Sequence, residues 1–261
     1  MSLLSILRKL KITHVLKPFK PLMPAKVRKW ANKDRKKYRE LVVTDEINRV
    51  YNDSIMLLKK EMGELEIGDY LEFGVNKGTS LSCMIRNCNR LGLDNTRFFG
   101  FDSFEGLPPT AADDDEGAWE PGAYRFPYKE TCKYLEKRGV DWDKTHLIKG
   151  WFSDTLNKEL IEEYSIDKAS LIMVDSDMYL SAKEALDFCV PLIKDKAIVY
   201  FDDWSSGDNL AEMNLGEKRA FEEFLSENEN LEAKQIDRYK DIFGKDNGIV
   251  FLVSNTDFSS N

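Results

Sequence analysis

At 261 residues, 42% hydrophobic and 32% charged with a net charge of −8, the chain is sized for one α/β domain with appendages, and its acidic balance gives a nucleic acid no purchase. No apolar run approaches the roughly 18 residues of a membrane-crossing helix, and charges interrupt every apolar stretch, which argues against a secretory signal. Cys83, Cys88, Cys132 and Cys189 are scattered without zinc-like pairing and suit a reducing cytoplasm, with Cys83 and Cys189 on predicted helices as core residues.

The charge is unevenly spread. Residues 1–40 carry thirteen Lys or Arg against Asp34 and Glu40, about +11, which leaves about −19 for the rest. Leu3, Leu4, Ile6, Leu7 and Leu10 with Arg8, Lys9 and Lys11 predict a short amphipathic basic helix, and Pro18, Pro21 and Pro24 break the chain before a second basic segment. Such an arm either makes a weak contact with an anionic membrane or polymer or folds over a neighbouring subunit or the acidic body.

Beyond the arm, strands and helices alternate. Ile47, Val50, Tyr51, Ile55 and Leu58 predict a helix over Asp45–Met62. Tyr70–Phe73 reads as a strand that runs into Gly74, Val75, Asn76, Lys77 and Gly78; Thr79 and Ser80 then open a helix to about Leu91, stopped by Gly92. Gly74 and Gly78 permit positive φ and close backbone approach, and the helix start offers N–H groups to an anion. The spacing Glu-x-Gly-x-x-x-Gly misses both the dinucleotide and the P-loop fingerprints. Glu72, two residues before the first Gly, suits a cationic ligand with an amino-acid end, such as S-adenosylmethionine; the alternative is a tight turn with a surface Glu.

Arg97–Phe101 is the second strand and delivers Asp102, 30 residues after Glu72, where an acid takes ribose hydroxyls. The alternative is a turn capped by Asp102 with Ser103. Pro108–Tyr128 is long, acidic at Asp113, Asp114, Asp115 and Glu116, and carries Trp119, Tyr124, Phe126 and Tyr128. Loops of this length are functional or disordered, and a lid over an acceptor is the functional reading. Thr145–Lys149 is the third strand, with a helix over Asp154–Tyr164. His14 in the arm and His146 in the strand are assigned structural roles.

Leu171–Val174 ends in Asp175, Ser176 and Asp177 before a helix from near Tyr179 to about Phe188, and Ala197–Phe201 delivers Asp202 and Asp203. Ends of adjacent parallel strands lie about 5 Å apart, so Asp175 faces Asp202 and Asp203. Three carboxylates without Cys or His form a hard oxygen site suited to Mg²⁺. Capping competes, since Asp177 is placed to cap the following helix and Asp203 to close a turn. A helix over Glu217–Asn228 and a hairpin of Glu232–Tyr239 with Gly248–Ser254 complete seven strands. Ligands of open α/β sheets collect outside the carboxyl ends of the strands, so Glu72, Asp102, Asp175, Asp177, Asp202 and Asp203 belong to one rim.

Gly100–Leu107 (GFDSFEGL), Gly150–Leu156 (GWFSDTL), Val174–Tyr179, Asp202-Asp203-Trp204 and Gly216–Phe224 together resemble the macrocin-type O-methyltransferase family. Its members methylate sugar hydroxyls of macrolide and aminocoumarin antibiotics with S-adenosylmethionine and Mg²⁺. The resemblance covers about residues 40–255. It implies a Rossmann-like class I methyltransferase fold, a seven-stranded, mostly parallel sheet in the order 3-2-1-4-5-7-6 with helices on both faces. It also implies that Asp175, Asp202 and Asp203 hold the metal and that Asp177 is the base. Glu72 and Gly74 would line the amino-acid end of the cofactor with Val75, Asn76, Gly78, Thr79 and Ser80; Asp102 and Ser103 would take its ribose, and Gly150, Trp151 and Phe152 its adenine, with Asp175 bordering it too.

Residues 1–40 and the stretch after Pro108 depart from the family pattern. The domains expected are therefore a basic arm over 1–40 and a methyltransferase domain over 41–261 with a lid-like insertion at about 108–128. Partners expected are a sugar or glycoside acceptor and a second copy of the chain, with the arm's anionic contact left open. Two rivals stand beside this reading. Asp175-Ser176-Asp177 is also the Asp-x-Asp of metal-dependent glycosyltransferases, which leaves Glu72–Gly78 and Asp102 without a task. A non-catalytic binding module of methyltransferase fold would have shed rim carboxylates, and all are present.

Overall fold

A computed structural model describes residues 41–63, 67–205 and 210–258; the basic arm expected over 1–40 lies outside them. Helix α1 (Thr44–Met62) buries Ile47, Val50, Tyr51, Ile55 and Leu58, the stripe its 3.6-residue spacing predicts. Strand β1 (Asp69–Phe73) leads through the Gly74–Gly78 turn to α2 (Thr79–Arg90), and β2 (Phe98–Asp102) follows. Helix α3 (Tyr128–Glu136) precedes β3 (Thr145–Lys149). Next come α4 (Phe152–Thr155), α5 (Lys158–Tyr164), β4 (Ala169–Val174) and α6 (Tyr179–Cys189). Strand β5 (Lys196–Phe201), α7 (Gly216–Glu227), β6 (Leu231–Lys240) and β7 (Asp246–Asn255) complete the domain.

The seven strands form one sheet in the order β3-β2-β1-β4-β5-β7-β6, as expected. The first five are parallel, and β7 runs antiparallel to both β5 and β6. Alternate side chains of each central strand serve opposite layers. Leu71, Phe73, Phe99, Phe101, Ile172, Val174, Val199 and Phe201 pack against α6 and α7. Tyr70, Phe98, Leu171, Met173, Ile198 and Tyr200 pack on the other face with α1 and α2.

Two expectations need correction. The helix expected over Asp154–Tyr164 is two helices, because Leu156 leaves helical geometry and the Asn157 side chain caps α5 by accepting from Leu160 N at 2.9 Å. Helix α3 was not expected at all. The stretch read as a lid contains two short 3₁₀ turns, Pro109–Asp113 and Asp115–Gly117. Its neck is closed by Leu107 N donating to Ala123 O (2.9 Å) and Gly122 N to Leu107 O (2.8 Å), the closed-ended form of an Ω-loop.

Candidate active site

Backbone bonds tie the carboxyl ends of the five parallel strands into one row. Gly150 N donates to Asp102 O, Gly74 N to Phe101 O, Asp175 N to Phe73 O and Asp202 N to Val174 O, at 2.9–3.1 Å. Gly74 is a site of true close approach. Its φ is +96°, and a Cβ there would collide with the Asp175 carbonyl oxygen, so only glycine lets the β1 turn lie against the end of β4.

Asp175, Asp202 and Asp203 each bring one carboxylate oxygen within 4.8 Å of the others. The pKa of each is raised from its ordinary value. Burial is the main cause for each; the charges of Asp202 and Asp203 add to it at Asp175, and that of Asp203 pushes Asp202 up to about 7. The Asp202 carboxylate is held back by a hydrogen bond from the Tyr239 hydroxyl. Asn247 Nδ2 donates to Asp202 O (2.6 Å) and Asp203 Oδ1 (3.3 Å). Clustered, half-buried carboxylate oxygens fit a hard divalent ion such as Mg²⁺.

Asp177 is not the cap of α6. The N-cap position is Met178, without a side-chain bond, and Asp177 has φ +62°. Its carboxyl group is hydrogen-bonded to Asp203 instead, and burial, then the Asp203 charge, raise its pKa well above the carboxylate range. The cap comes from the loop, with Asp115 Oδ2 accepting from Tyr179 N (3.0 Å) and Asp114 Oδ2 from Leu180 N (2.9 Å).

Glu72 is not a surface residue; it is fully buried. Tyr70 Oη donates to one oxygen at 2.5 Å and Ser80 Oγ to the other at 2.7 Å, while burial pushes its pKa up to about 8. Tyr70 in turn meets Tyr51 Oη at 3.3 Å. Asp102 accepts from Asn76 N (2.7 Å) and Phe104 N (2.5 Å), and burial raises it despite those bonds. Both the turn-capping and the loop-facing roles therefore fall to one carboxylate.

The other expected cofactor contacts divide into backbone and side chain. Val75 is buried, in the layer with α1 and α2. Ser103 Oγ closes its own turn by donating to Gly106 O (2.8 Å) and accepting from Glu105 N (3.0 Å). Thr79 Oγ1 lies 2.9 Å from Tyr134 Oη. Asn76 has φ +48° and is held by Nδ2 donating to Tyr124 O (2.6 Å) and by Thr131 Oγ1 donating to its carbonyl (2.7 Å). Gly78, at φ +85°, is the N-cap of α2 and rests on Leu135. Beyond Gly150, Trp151 is the N-cap of α4 and the Phe152 ring packs edge-on against Phe73 at 5.8 Å. His146 is stacked on Phe99 at 5.0 Å, in the first half of β3.

One central acid escaped the sequence reading of the rim. Glu217, almost fully buried at the start of α7, accepts from Ser176 N (3.3 Å) and Asp203 N (3.1 Å). Burial, then Asp203 and Asp202, raise its pKa well above normal. An acid in a first helical turn reads as a response to the helix dipole, so nothing local distinguished it. Beside it Ser176 Oγ is buried without a hydrogen-bond partner among the described residues.

Comparison with known proteins decides the family. The model described as Macrocin-O-methyltransferase (TylF) matches residues 55–234. The chain belongs to the macrocin O-methyltransferase family. A relative from Streptomyces olivaceus, 8-demethyl-8-(2,3-dimethoxy-alpha-L-rhamnosyl)-tetracenomycin-C 4'-O-methyltransferase, is 28% identical over 144 residues, 53% of each chain; the chain thus spans about half the length of that relative. Among solved structures, the O-methyltransferase NovP matches at TM-score 0.60 and 20% identity, covering 80% of this chain and 78% of its own. The calicheamicin methyltransferase CalS11 matches at TM-score 0.59 and 19% identity, covering 93% and 91%. At those identities the likeness to the two structures is one of fold, and the fold is that of class I methyltransferases.

Proposed function

We propose that this protein is an S-adenosylmethionine-dependent O-methyltransferase that acts, with Mg²⁺, on a hydroxyl of a sugar or glycoside. The observation that carries it is the Asp175, Asp202 and Asp203 cluster, with Asp177 hydrogen-bonded to it, beside the Gly74 turn. Family membership supports methyl transfer, and the rhamnosyl substrate in the name of the Streptomyces relative supports a sugar acceptor. The glycosyltransferase reading loses ground to the family match, and no helix of the described residues is long and apolar enough to cross a membrane.

Residues divide the work as follows. The Gly74–Ser80 turn and Asp102 bind and orient the cofactor, with Gly150–Phe152 closing the adenine side. S-adenosylmethionine supplies a methyl group made electrophilic by a cationic sulfonium, which a rim of carboxylates favours electrostatically. Asp175, Asp202 and Asp203 would hold Mg²⁺, which supplies Lewis acidity that lowers the pKa of a hydroxyl bound to it. Asp177 takes the hydroxyl proton on its carboxylate; positioned bases of this kind contribute about 10²–10⁴-fold. The segment 108–128 borders the acceptor side.

The test is transfer of a labelled methyl group from S-adenosylmethionine to a panel of rhamnosides and other glycosides, with excess chelator and with Mg²⁺ restored. Mg²⁺-dependent methylation of a sugar hydroxyl is expected. Full transfer in chelator would remove the metal from the reading. Tight binding of a nucleotide sugar with none of S-adenosylmethionine would return it to the glycosyltransferase.

A further inference from the structure

We infer that Asp115 is a positioning residue that fixes Asp177 and Glu217 relative to one another, an inference that rests on the methyl-transfer reading of the rim. Asp115 is almost fully buried, and its two oxygens serve two different helices. Oδ1 accepts from Gly216 N at 2.8 Å, the first residue of α7, and Oδ2 accepts from Tyr179 N at 3.0 Å, the first residue of α6. Trp119 Nε1 also donates to Oδ2 at 3.0 Å, a further hold on the carboxylate. Each helix start presents unpaired N–H groups and a partial positive charge. One carboxylate satisfying two of them is a bridge that neither helix supplies for itself.

The bridge closes a ring. From Asp115 the path runs through Tyr179 N and back along Met178 and Asp177 to Ser176. The Ser176 N–H donates to Glu217, whose neighbour Gly216 returns to Asp115. Asp177 thus sits on a short segment pinned at both ends to the first turn of α7. Asp115, Glu116 and Asp177 all have φ between +44° and +62°, a region costly for residues other than glycine and sustained only where the surroundings over-determine it. The loop read as a lid therefore has a fastened inner half, and its role there is to hold the proton-accepting carboxylate at a set distance from the metal cluster. A serine, threonine or asparagine caps one helix; bridging two requires both oxygens of an acid.

The full chain carries the test as Asp115→Asn, with Glu116→Gln, exposed and next in the same acidic run, as the charge control. Amide hydrogen exchange at Tyr179 and Gly216, thermal stability, S-adenosylmethionine affinity, and kcat and KM for an acceptor glycoside are read together. With one acceptor oxygen left where three N–H groups arrive, exchange at Tyr179 or Gly216 is expected to quicken. kcat per folded molecule should fall about ten-fold, as for a reacting group held slightly out of place, while cofactor affinity stays within about two-fold. Glu116→Gln should change none of these. Unaltered exchange at both amides, or a loss of kcat no larger than the loss of folded protein, overturns the inference. If the wild-type chain transfers no methyl group, the proposed function fails; exchange at Tyr179 and Gly216 still decides the bridge.

Discussion

Asp177 turns back toward Asp203 because its backbone lies in the left-handed region, where Asp and Asn are tolerated far better than other non-glycine residues. That makes Asp177→Asn a clean substitution: it keeps the shape and the φ, and removes only the ability to take a proton. Metal and cofactor binding should survive while turnover falls about 10²-fold or more, read by calorimetry for each ligand and by single-turnover kinetics for the rate. A near-normal rate ends the general-base role. Asp102, Asp175 and Asp202 were legible because each follows a hydrophobic run, which marks the carboxyl end of a buried strand. The depth of Glu72 was hidden by the same pattern, since an acid inside a strand reads as surface-facing until its partners, Tyr70 and Ser80, are seen to close over it.

Helix α3 was illegible for a matching reason. It buries only Thr131 and Leu135 and has no side-chain cap after Pro127, too little periodicity to separate it from the loop before it. Yet it buttresses the Gly74–Gly78 turn, with Thr131 on the Asn76 carbonyl, Tyr134 on Thr79 and Leu135 under Gly78. Thr131→Val keeps the volume and removes the hydroxyl. It should weaken S-adenosylmethionine binding about three- to ten-fold, one lost hydrogen bond, with little change in kcat at saturating cofactor. Calorimetry showing unchanged affinity would release α3 from that role. The longer elements were readable because their apolar stripes are strong, as in α1; the break at Asn157 was not, because a cap inside a helical pattern looks like one more polar position.

At the scale of the whole domain, the raised carboxyl groups all point one way. Glu72 and Asp202 are pushed up to about 8 and about 7, and Asp175, Asp177, Asp203 and Glu217 also rise. In the unfolded chain these groups lose their protons near pH 4, so between there and the raised values the folded state binds more protons. Stability of the metal-free protein must then fall as pH climbs from about 5 to 8. If Asp175, Asp202 and Asp203 hold Mg²⁺ as proposed, the ion would replace their protons, and its stabilising effect should be larger at pH 8 than at pH 5. Differential scanning calorimetry in chelator and in Mg²⁺ checks both; a metal-free Tm that rises across this range would contradict the burial of the cluster. The strand order was available from the family resemblance and not from local patterns, because no feature of β6 or β7 says which of them lies against β5.

That last pairing bears on how the protein is made. Strand β7 follows the other six in chain order, yet it sits between β5 and β6 and brings Asn247 to Asp203. A nascent chain that has emerged only through β6 has five parallel strands ready and β5 as an open edge, which is an invitation to intermolecular pairing. The acid cluster likewise lacks its carboxamide partner until the final hairpin closes. The interval between the emergence of β6 and that of β7 is therefore when this sheet is most open to mispairing, and the emergence of β7 is when the acid cluster gains Asn247.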